Sequence, residues 1–183
     1  IAGASVTALT LLSACTTTGS SSGDPAAQRK ALDAAADNAL SRLYTQHPGS
    51  RELINSARGV LVFPSFGSAG FLVGGGSGTG VLRKGGATAS YHRMTELSVG
   101  LLAGAQSQAI FILFMTEDAL RRFEASRGWT VGADADIAMI SVGANAQITT
   151  TTAQQAVVGF VMTNRGLMAN ISLNGNRITR LDL

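Results

Sequence analysis

The sequence predicts an α+β fold, in which N-terminal helices are followed by a mostly antiparallel, glycine-rich β-sheet or barrel-like sheet with one inserted helix. Apolar residues recur at helical spacing between residues 24 and 57. From residue 59 onward, short apolar and β-branched runs alternate with Gly- and Asn-rich turns, as is typical of antiparallel strands. One helical pattern follows Thr116 and interrupts these runs, and it is assigned to the inserted helix.

Two helices are predicted before the sheet. The first begins at Asp24 and Pro25, because an acidic N-cap followed by proline is a common helix start. The sequence His47-Pro48-Gly49 ends it, and Ser50 is expected to cap a short second helix through Ala57. The apolar face of the first helix is predicted to contain Leu32, Ala36, Ala39, Leu40 and Leu43.

Ten extended segments are predicted after these helices. The first, 59–63, is an apolar run that Pro64 is expected to close, because proline has no N–H for a ladder hydrogen bond. Lys84-Gly85-Gly86 is expected to turn between two segments, and Asn174-Gly175 to form a terminal hairpin, because Asn-Gly favours tight hairpin turns. The other segments are 69–73, 79–83, 87–94, 97–103, 108–115, 136–149, 156–163, 167–173 and 176–181.

The inserted helix is predicted to begin after Thr116 and to stop at Gly128. Glu117 and Asp118 occupy its first turn, where the helix dipole favours acidic side chains. Trp129 follows at the corner, where we expect a packing residue, with an exposed aromatic that contacts a membrane as the alternative.

The N-terminal segment has three parts. An apolar and small-residue run, 1–12, precedes Ser13-Ala14-Cys15, and a Thr/Ser/Gly-rich stretch follows. This is the layout of a bacterial lipoprotein signal. This run spans roughly 18 Å, less than the hydrocarbon core of a bilayer. Cys15 is therefore predicted to carry a diacylglyceryl group, with a small buried cysteine as the alternative. We expect a signal segment 1–15, a flexible tether 16–23 and a single domain 24–183.

Lipidation of Cys15 would remove the chain's only thiol from chemistry and would anchor the domain to a membrane. The expected location is the bacterial cell envelope, and Thr16 after the cysteine favours the outer membrane by analogy with lipoprotein sorting. The domain is expected to face the periplasm or the cell surface.

Charge is sparse but slightly basic, with a net charge of +3, a pI near 9.6 and 14% charged residues. There is no dense Lys/Arg cluster, which argues against nucleic-acid binding. The candidates for contact with phosphate headgroups lie on or beside the predicted helices, and a solvated helix face is the alternative for each. They are Arg29, Lys30, Arg42, Arg121, Arg122 and Arg127.

No residue pattern typical of catalysis, a cofactor or a metal site is present, so we expect a non-enzymatic protein without a cofactor. The glycine tract 74–80 lacks the spacing of nucleotide-binding loops, and close backbone packing or strand bulges are expected there. His47 and His92 lack zinc-site context. Asp134 and Asp136 are candidates for an acid pair or cation site, with a solvated turn as the alternative.

An ordered series of short motifs runs through the predicted sheet. The series includes Ala57-Arg58-Gly59-Val60, Ala69-Gly70-Phe71, Gly76-Ser77-Gly78-Thr79-Gly80-Val81, Val131-Gly132-Ala133-Asp134, Arg165-Gly166-Leu167-Met168-Ala169 and Ser172-Leu173-Asn174-Gly175. Taken together, these motifs resemble the SYLF domain, which is found in eukaryotic actin regulators and in many bacterial lipoproteins. The resemblance covers roughly 50–183, and Asn170 and Asn174 depart from it. The family-motif glycines are Gly59, Gly70, Gly76, Gly78, Gly80, Gly166 and Gly175.

The resemblance implies binding to membrane lipids, particularly phosphoinositides, and to actin filaments in the eukaryotic members, without catalysis. Our first hypothesis is a lipid-anchored envelope protein whose domain contacts anionic lipid headgroups. The second is a protein-interaction or structural module of the envelope that uses the edges of its sheet and in which the lipid is only an anchor.

Overall fold

The structure is a computed structural model that describes residues 24–68, 76–96, 108–140, 154–164, 166–168 and 172–183. The helices of these residues are α1 (Pro25–Gln46), α2 (Ser50–Ser56) and α3 (Glu117–Ala125). The strands are β1 (Gly59–Ser68), β2 (Gly76–Lys84), β3 (Ala87–Glu96), β4 (Gln108–Phe114), β5 (Gly128–Thr130), β6 (Ala138–Met139), β7 (Val157–Thr163), β8 (Gly166–Leu167) and β9 (Asn176–Leu181). The predicted fold class is confirmed, and the sheet curls into a half-barrel.

The N-terminal helices begin close to the predicted positions. Asp24 caps α1, since its Oδ1 accepts a hydrogen bond from the backbone N–H of Ala26 at 3.0 Å. Ser50 does not cap α2, because Gly49 occupies the N-cap position. The Ser50 hydroxyl instead donates to the His47 carbonyl at 2.7 Å, so it links the end of α1 to the start of α2.

The described strands form one sheet in the order β5-β9-β3-β2-β1-β4-β7-β6, with β8 beside β7. All pairs are antiparallel except β6 with β7. The two strands at the ends of this order are only three and two residues long. Short edge strands of this kind offer few unpaired backbone groups to another chain.

The two faces of the sheet are each covered by a different helix. On what we call the α1 face, Val60, Val62 and Phe111 pack in one cluster with Ala39 and Leu43 of α1. On the α3 face, alternate residues of the same strands pack with α3, because successive side chains of a strand point to opposite faces. This second cluster includes Leu61, Phe63, Ile112, Phe114, Leu120 and Phe123.

Pro64 does not end the first strand, as was expected, because β1 continues to Ser68. The register of β1 shifts between Val62 and Phe66 against β2, and between Phe63 and Phe66 against β4. This irregularity accommodates proline, which cannot donate to the ladder. Pro64 therefore marks a local disruption of pairing inside a longer strand.

The prediction of a terminal hairpin is also wrong, although a turn is present at Asn174-Gly175. Strand β9 pairs with β3 and β5, while β8 pairs with β7. The backbone explains the difference, since Gly175 donates to the Val131 carbonyl and Val131 donates to the Asn176 carbonyl, both at 2.9 Å. These bonds direct the turn toward the segment after β5.

Other predicted strands differ in extent. Strand β2 begins at Gly76, inside the glycine tract, and strand β3 continues to Glu96. Within the described residues, the predicted segment 136–149 contains only the two-residue strand β6, and the segment 167–173 contains only the second residue of β8, Leu167. The segments 69–73 and 97–103 lie outside the described residues.

The inserted helix is confirmed. Thr116 Oγ1 accepts from the Ala119 N–H at 3.2 Å, and Ser126 follows the helix as its C-cap, so Gly128 begins β5 instead of ending α3. Trp129 is 3% exposed and its ring centroid lies 5.5 Å from that of Phe123, so it is a packing residue.

Candidate functional site: a basic face of the sheet

The predicted headgroup residues do not lie on one surface. Arg29, Lys30 and Arg42 are on α1, whereas Arg121 and Arg122 are on α3, against the opposite face of the sheet. The sixth residue, Arg127, is exposed in the short connection between α3 and β5. The fold therefore places three candidates on α1, two on α3 and one in the connection to β5, so the α1 and α3 candidates cannot contact one flat surface together.

The arginines of α3 are paired with an acid on the same helix. Asp118 accepts from Arg121 and from Arg122, with N–O distances of 2.8 Å in both cases. All three side chains are more than half exposed, so these pairs contribute little to stability. Their charges are partly balanced locally, which makes this group a weak attractor of anions.

A different basic surface lies on the α1 face, beyond the part of the sheet that α1 covers. We call it the Arg–Thr face. It is formed by β2, β3, β5 and β9 and consists of two arginines and four threonines: Thr79, Arg93, Thr95, Thr130, Arg177 and Thr179. The two arginines are exposed and the four threonines are half-buried. Cross-strand register puts them on one side of the sheet, where neighbouring positions alternate between arginine and threonine.

The register brings the two arginines close to each other. Arg93 is the direct partner of Thr179, and Arg177 is two residues before Thr179 on β9. Diagonal positions of this kind are about 7–8 Å apart. The Arg177 guanidinium lies over Gly128, where a Cβ would clash with it, so the missing side chain leaves room for arginine to lie along the sheet.

Arg29 extends this basic surface at the α1 end. Its guanidinium donates to the carbonyl of Leu183, two residues after β9. It also lies close enough to Tyr91 to oppose the rise in the pKa of the phenol that burial and Asp33 produce. Among the six predicted candidates, Arg29 is the one whose contacts join it to the end of β9.

The nearby acids of α1 are already engaged. Arg83 contacts Asp37 at 2.8 Å and Asp33 at 3.8 Å. Asp33 also accepts hydrogen bonds from Thr88 and Tyr91 at 2.7 and 3.1 Å. The ion pairs of the described residues do not include Arg93 or Arg177, so these two exposed guanidinium groups are available to attract anions. The Asp134 carboxylate lies at the β5 edge of the face, where it accepts from the Thr130 N–H.

The family-motif glycines of β2 allow close packing against β1, as was predicted for the glycine tract 74–80. A Cβ at Gly80 would lie 2.5 Å from Phe63 Cδ1, and one at Gly78 would lie 2.7 Å from the Ser65 carbonyl oxygen. Gly59 is in a similar position against Leu120. Gly166 and Gly175 have positive φ values of 117° and 86°, which suit turns, and Gly70 lies outside the described residues.

The α3 face holds His92, which is 6% exposed. Its ring lies 4.9 Å from that of Phe123, and its Nε2 shares a hydrogen bond of 2.8 Å with Ser90 Oγ. Burial, together with the positive charge of Arg180, lowers the pKa of His92 to about 4. The imidazole is therefore neutral at physiological pH and acts as a packed polar residue of the core.

Asp134 and Asp136 are both exposed, and Asp134 lies in the turn 132–134, which agrees with the prediction of a solvated turn. Asp134 Oδ2 accepts from the Thr130 N–H at 2.6 Å. Both acids line a groove of about 200 Å³ that also includes Asp118, Arg122 and Trp129. Over the described ranges, no three or more His, Cys, Asp or Glu side chains form a group that could hold a metal ion.

The predicted lipidation site, Cys15, lies outside the described residues. No helix in the described part of the chain has the length and apolarity needed to cross a bilayer. Arg93 and Arg177 were missed from the sequence because they belong to different strands, β3 and β9, that are far apart along the chain. Their alternation with threonine was the available signal, but only the pairing of β3 with β9 brings them together.

Comparison with known families agrees with the motif series. Residues 95–182 match the family described as Ysc84, Las17-binding protein actin regulator. No curated protein matches the chain. The matched range includes Thr95, Thr130, Arg177 and Thr179 of the Arg–Thr face, while Arg93 lies just before it. The resemblance to the SYLF family, whose members are binding domains of lipid- and actin-binding type, is therefore confirmed through residues 95–182, slightly less than half of the chain.

Proposed function

We propose that this chain is a non-catalytic, membrane-anchored protein whose Arg–Thr face binds anionic lipid headgroups of phosphoinositide type or another anionic class. The observation that carries the proposal is the pair of exposed arginines, Arg93 and Arg177, on a face whose other members are uncharged threonines. Guanidinium groups donate several hydrogen bonds to phosphate, and threonine hydroxyls add further donors.

The shape of this surface supports contact with a bilayer. Its residues belong to four adjacent strands, so the two guanidinium groups and the hydroxyls are presented side by side and not from separate loops. Each basic residue near an anionic membrane contributes about 1 kcal/mol of attraction. Arg93 and Arg177 together therefore give weak binding, which would become significant if the domain were held at the membrane by other means.

The predicted modification of Cys15 would supply that attachment. Lipidation there, followed by the tether 16–23, would hold the domain near a bilayer of the bacterial cell envelope, with the outer membrane favoured. Eight residues of flexible chain span roughly 16 Å on average, which would keep the Arg–Thr face within reach of the headgroups.

Vesicle binding tests the proposal. The chain is mixed with vesicles of zwitterionic lipid that contain increasing fractions of anionic phospholipid, and the bound fraction is measured by flotation at low and high salt. We expect binding to rise with the anionic fraction and to fall with salt, because screening weakens contacts between exposed charges.

Binding that is indifferent to lipid charge and to salt would overturn the proposal. The family description names actin regulation, so the same preparation is also sedimented with actin filaments. Filament binding without any vesicle binding would assign the Arg–Thr face to an acidic protein surface and would equally contradict the lipid proposal.

A further inference from the structure

A groove of about 200 Å³ lies on the α3 side of the sheet, between the first half of α3, the turn 132–134 and the start of β7. We call it the α3 groove, and its charged lining residues are Asp118, Arg122, Asp134 and Asp136. Three carboxylates against one guanidinium make it locally negative, although the whole chain has a net charge of +3. The α3 groove therefore attracts cations, which the Arg–Thr face repels.

Two of these carboxylates are not used by the protein's own cations. Asp118 is already paired with arginines of its own helix. The ion pairs of the described residues do not include Asp134 or Asp136, and both side chains are exposed. The hydrogen bond from the Thr130 N–H to Asp134 Oδ2 holds that carboxylate in place beside the groove. Asp134 and Asp136 are therefore available to a cation from outside the chain.

The buried side of the α3 groove holds a donor without an acceptor. Trp129 lines the groove although it is only 3% exposed. The hydrogen bonds of the described residues do not include its indole N–H, a group that usually finds a partner when the ring is buried. A ligand oxygen in the groove would supply that acceptor. The site therefore suits a ligand that has a cationic group and an acceptor oxygen.

The volume of the α3 groove limits the ligand to a small group. About 200 Å³ is less than the roughly 300–1,000 Å³ of most sites for small-molecule ligands. A lysine or arginine residue combines both chemical features, since its side chain ends in a cation with several N–H donors and its backbone carbonyl is an acceptor. One basic residue of a peptide segment therefore has the size and the chemistry that the groove requires.

We propose that the α3 groove binds a lysine or arginine side chain of a partner protein, with Asp134 and Asp136 pairing with the cation and the Trp129 indole N–H donating to a backbone carbonyl of the same segment. The inference does not depend on lipid binding, because Trp129 and α3 belong to the opposite side of the sheet from the Arg–Thr face. The same separation favours a protein over the amine of a lipid headgroup, since a bilayer on the Arg–Thr face would leave the groove on the other side.

Tryptophan fluorescence gives a direct test, because Trp129 is the only tryptophan of the chain and lines the groove. The chain is titrated with a capped tripeptide that has a central lysine, and with the same tripeptide that has a central glutamine, at low and high salt. We expect a saturable change in emission with the lysine peptide that weakens at high salt, and none with the glutamine peptide. Equal responses to the two peptides, or no response to either, would overturn the proposal.

Asp136→Asn should weaken binding of the lysine peptide about threefold, the effect expected for loss of one exposed ion pair. Glu52→Gln is the matched control, because it removes the same charge from an exposed position on α2, which packs against the other face of the sheet. Equal weakening in the two variants would show that the peptide responds only to net charge and would contradict the site.

A second variant keeps the test informative if Asp136→Asn does not fold. Asp134→Asn also removes a carboxylate from the groove, but the amide oxygen can still accept from the Thr130 N–H, so the turn is kept. Soluble glycerophosphoethanolamine is titrated in parallel as a model of a lipid amine. A stronger response to it than to the lysine peptide would assign the groove to a lipid headgroup and would overturn the proposal of a protein partner.

Discussion

At the scale of single residues, the glycines of β2 show how the chain allows its strands to approach. Their spacing in sequence excluded a nucleotide loop, but it did not tell which atoms occupy the space of the missing side chains. Gly80 faces both the Phe63 ring and the Val62 carbonyl oxygen, the latter 2.7 Å from where a Cβ would lie. Backbone cannot move away as a flexible side chain can, so this position is strictly limited to glycine.

Gly80→Ala should lower the free energy of unfolding by about 1–3 kcal/mol, because the added methyl group overpacks the contact with β1. Gly67→Ala is the control, since nothing lies within 4 Å of a Cβ at that position. Urea unfolding of both variants checks the expectation. Equal stabilities of the two variants would show that β1 and β2 are not packed as described.

His92 should make stability depend on pH. Its pKa is about 4 in the folded protein and 6.5 when exposed, so the unfolded chain binds more protons between these values. The free energy of unfolding should therefore fall by up to about 3 kcal/mol as pH decreases from 6.5 to 4, and this dependence should end below about pH 4. Urea unfolding across this range, with His92→Gln as the comparison, measures it; an unchanged slope in the variant would contradict the assignment.

At the scale of elements, α1 is a docked part of the domain. Ala36, Ala39 and Leu43 are fully buried against the sheet, and Arg83 of β2 holds two acids of the same helix. The apolar stripe that the sequence predicted is therefore used in packing, which leaves the charged side of α1 for solvent.

Leu43→Ala should lower the free energy of unfolding by about 3 kcal/mol, because it leaves a cavity between α1 and the sheet. Arg42→Ala, at the adjacent exposed position, should change it by less than about 0.5 kcal/mol. The comparison is made by urea unfolding monitored by circular dichroism. A cost for Leu43→Ala no larger than that for Arg42→Ala would mean that α1 is not docked.

Local signals predicted the elements better than their connections. Asp24 and Thr116 marked helix starts correctly because capping depends only on neighbouring residues. The predictions made from Pro64 and from Asn174-Gly175 were wrong because the strand pairing there depends on residues distant in sequence. At Pro64 the register of β1 shifts against β2 and β4, and at Asn174-Gly175 the turn is held by backbone hydrogen bonds with Val131. Long-range pairing overrides a local turn or breaker signal wherever the two disagree.

At the scale of the whole molecule, the sheet separates two sets of functional candidates. The six basic residues predicted from sequence divide between α1, α3 and the connection to β5, while Arg93 and Arg177 meet only because β9 returns to pair with β3. The sequence predicted that basic side chains would contact headgroups and that the chain carries a net positive charge. It did not predict the Arg–Thr face, since no local pattern specifies which strands become neighbours.

Membrane attachment is expected to depend on Cys15. Cys15→Ser should abolish incorporation of labelled palmitate when the chain is expressed with its N-terminal segment in a bacterium, and should move the protein from the membrane to the soluble fraction. Serine provides no thiol for the diacylglyceryl group. Labelling that persists in Cys15→Ser would contradict a lipid anchor at this residue.

Vesicle binding by two double variants of equal charge tests most directly whether the Arg–Thr face contacts anionic headgroups. Arg93→Gln with Arg177→Gln should weaken binding to anionic vesicles roughly thirtyfold, since two headgroup contacts of about 1 kcal/mol each are lost. Arg121→Gln with Arg122→Gln removes the same charge from the opposite face and should weaken binding less than about threefold. Equal losses in the two double variants would show that only net charge matters and would contradict the assignment of the Arg–Thr face.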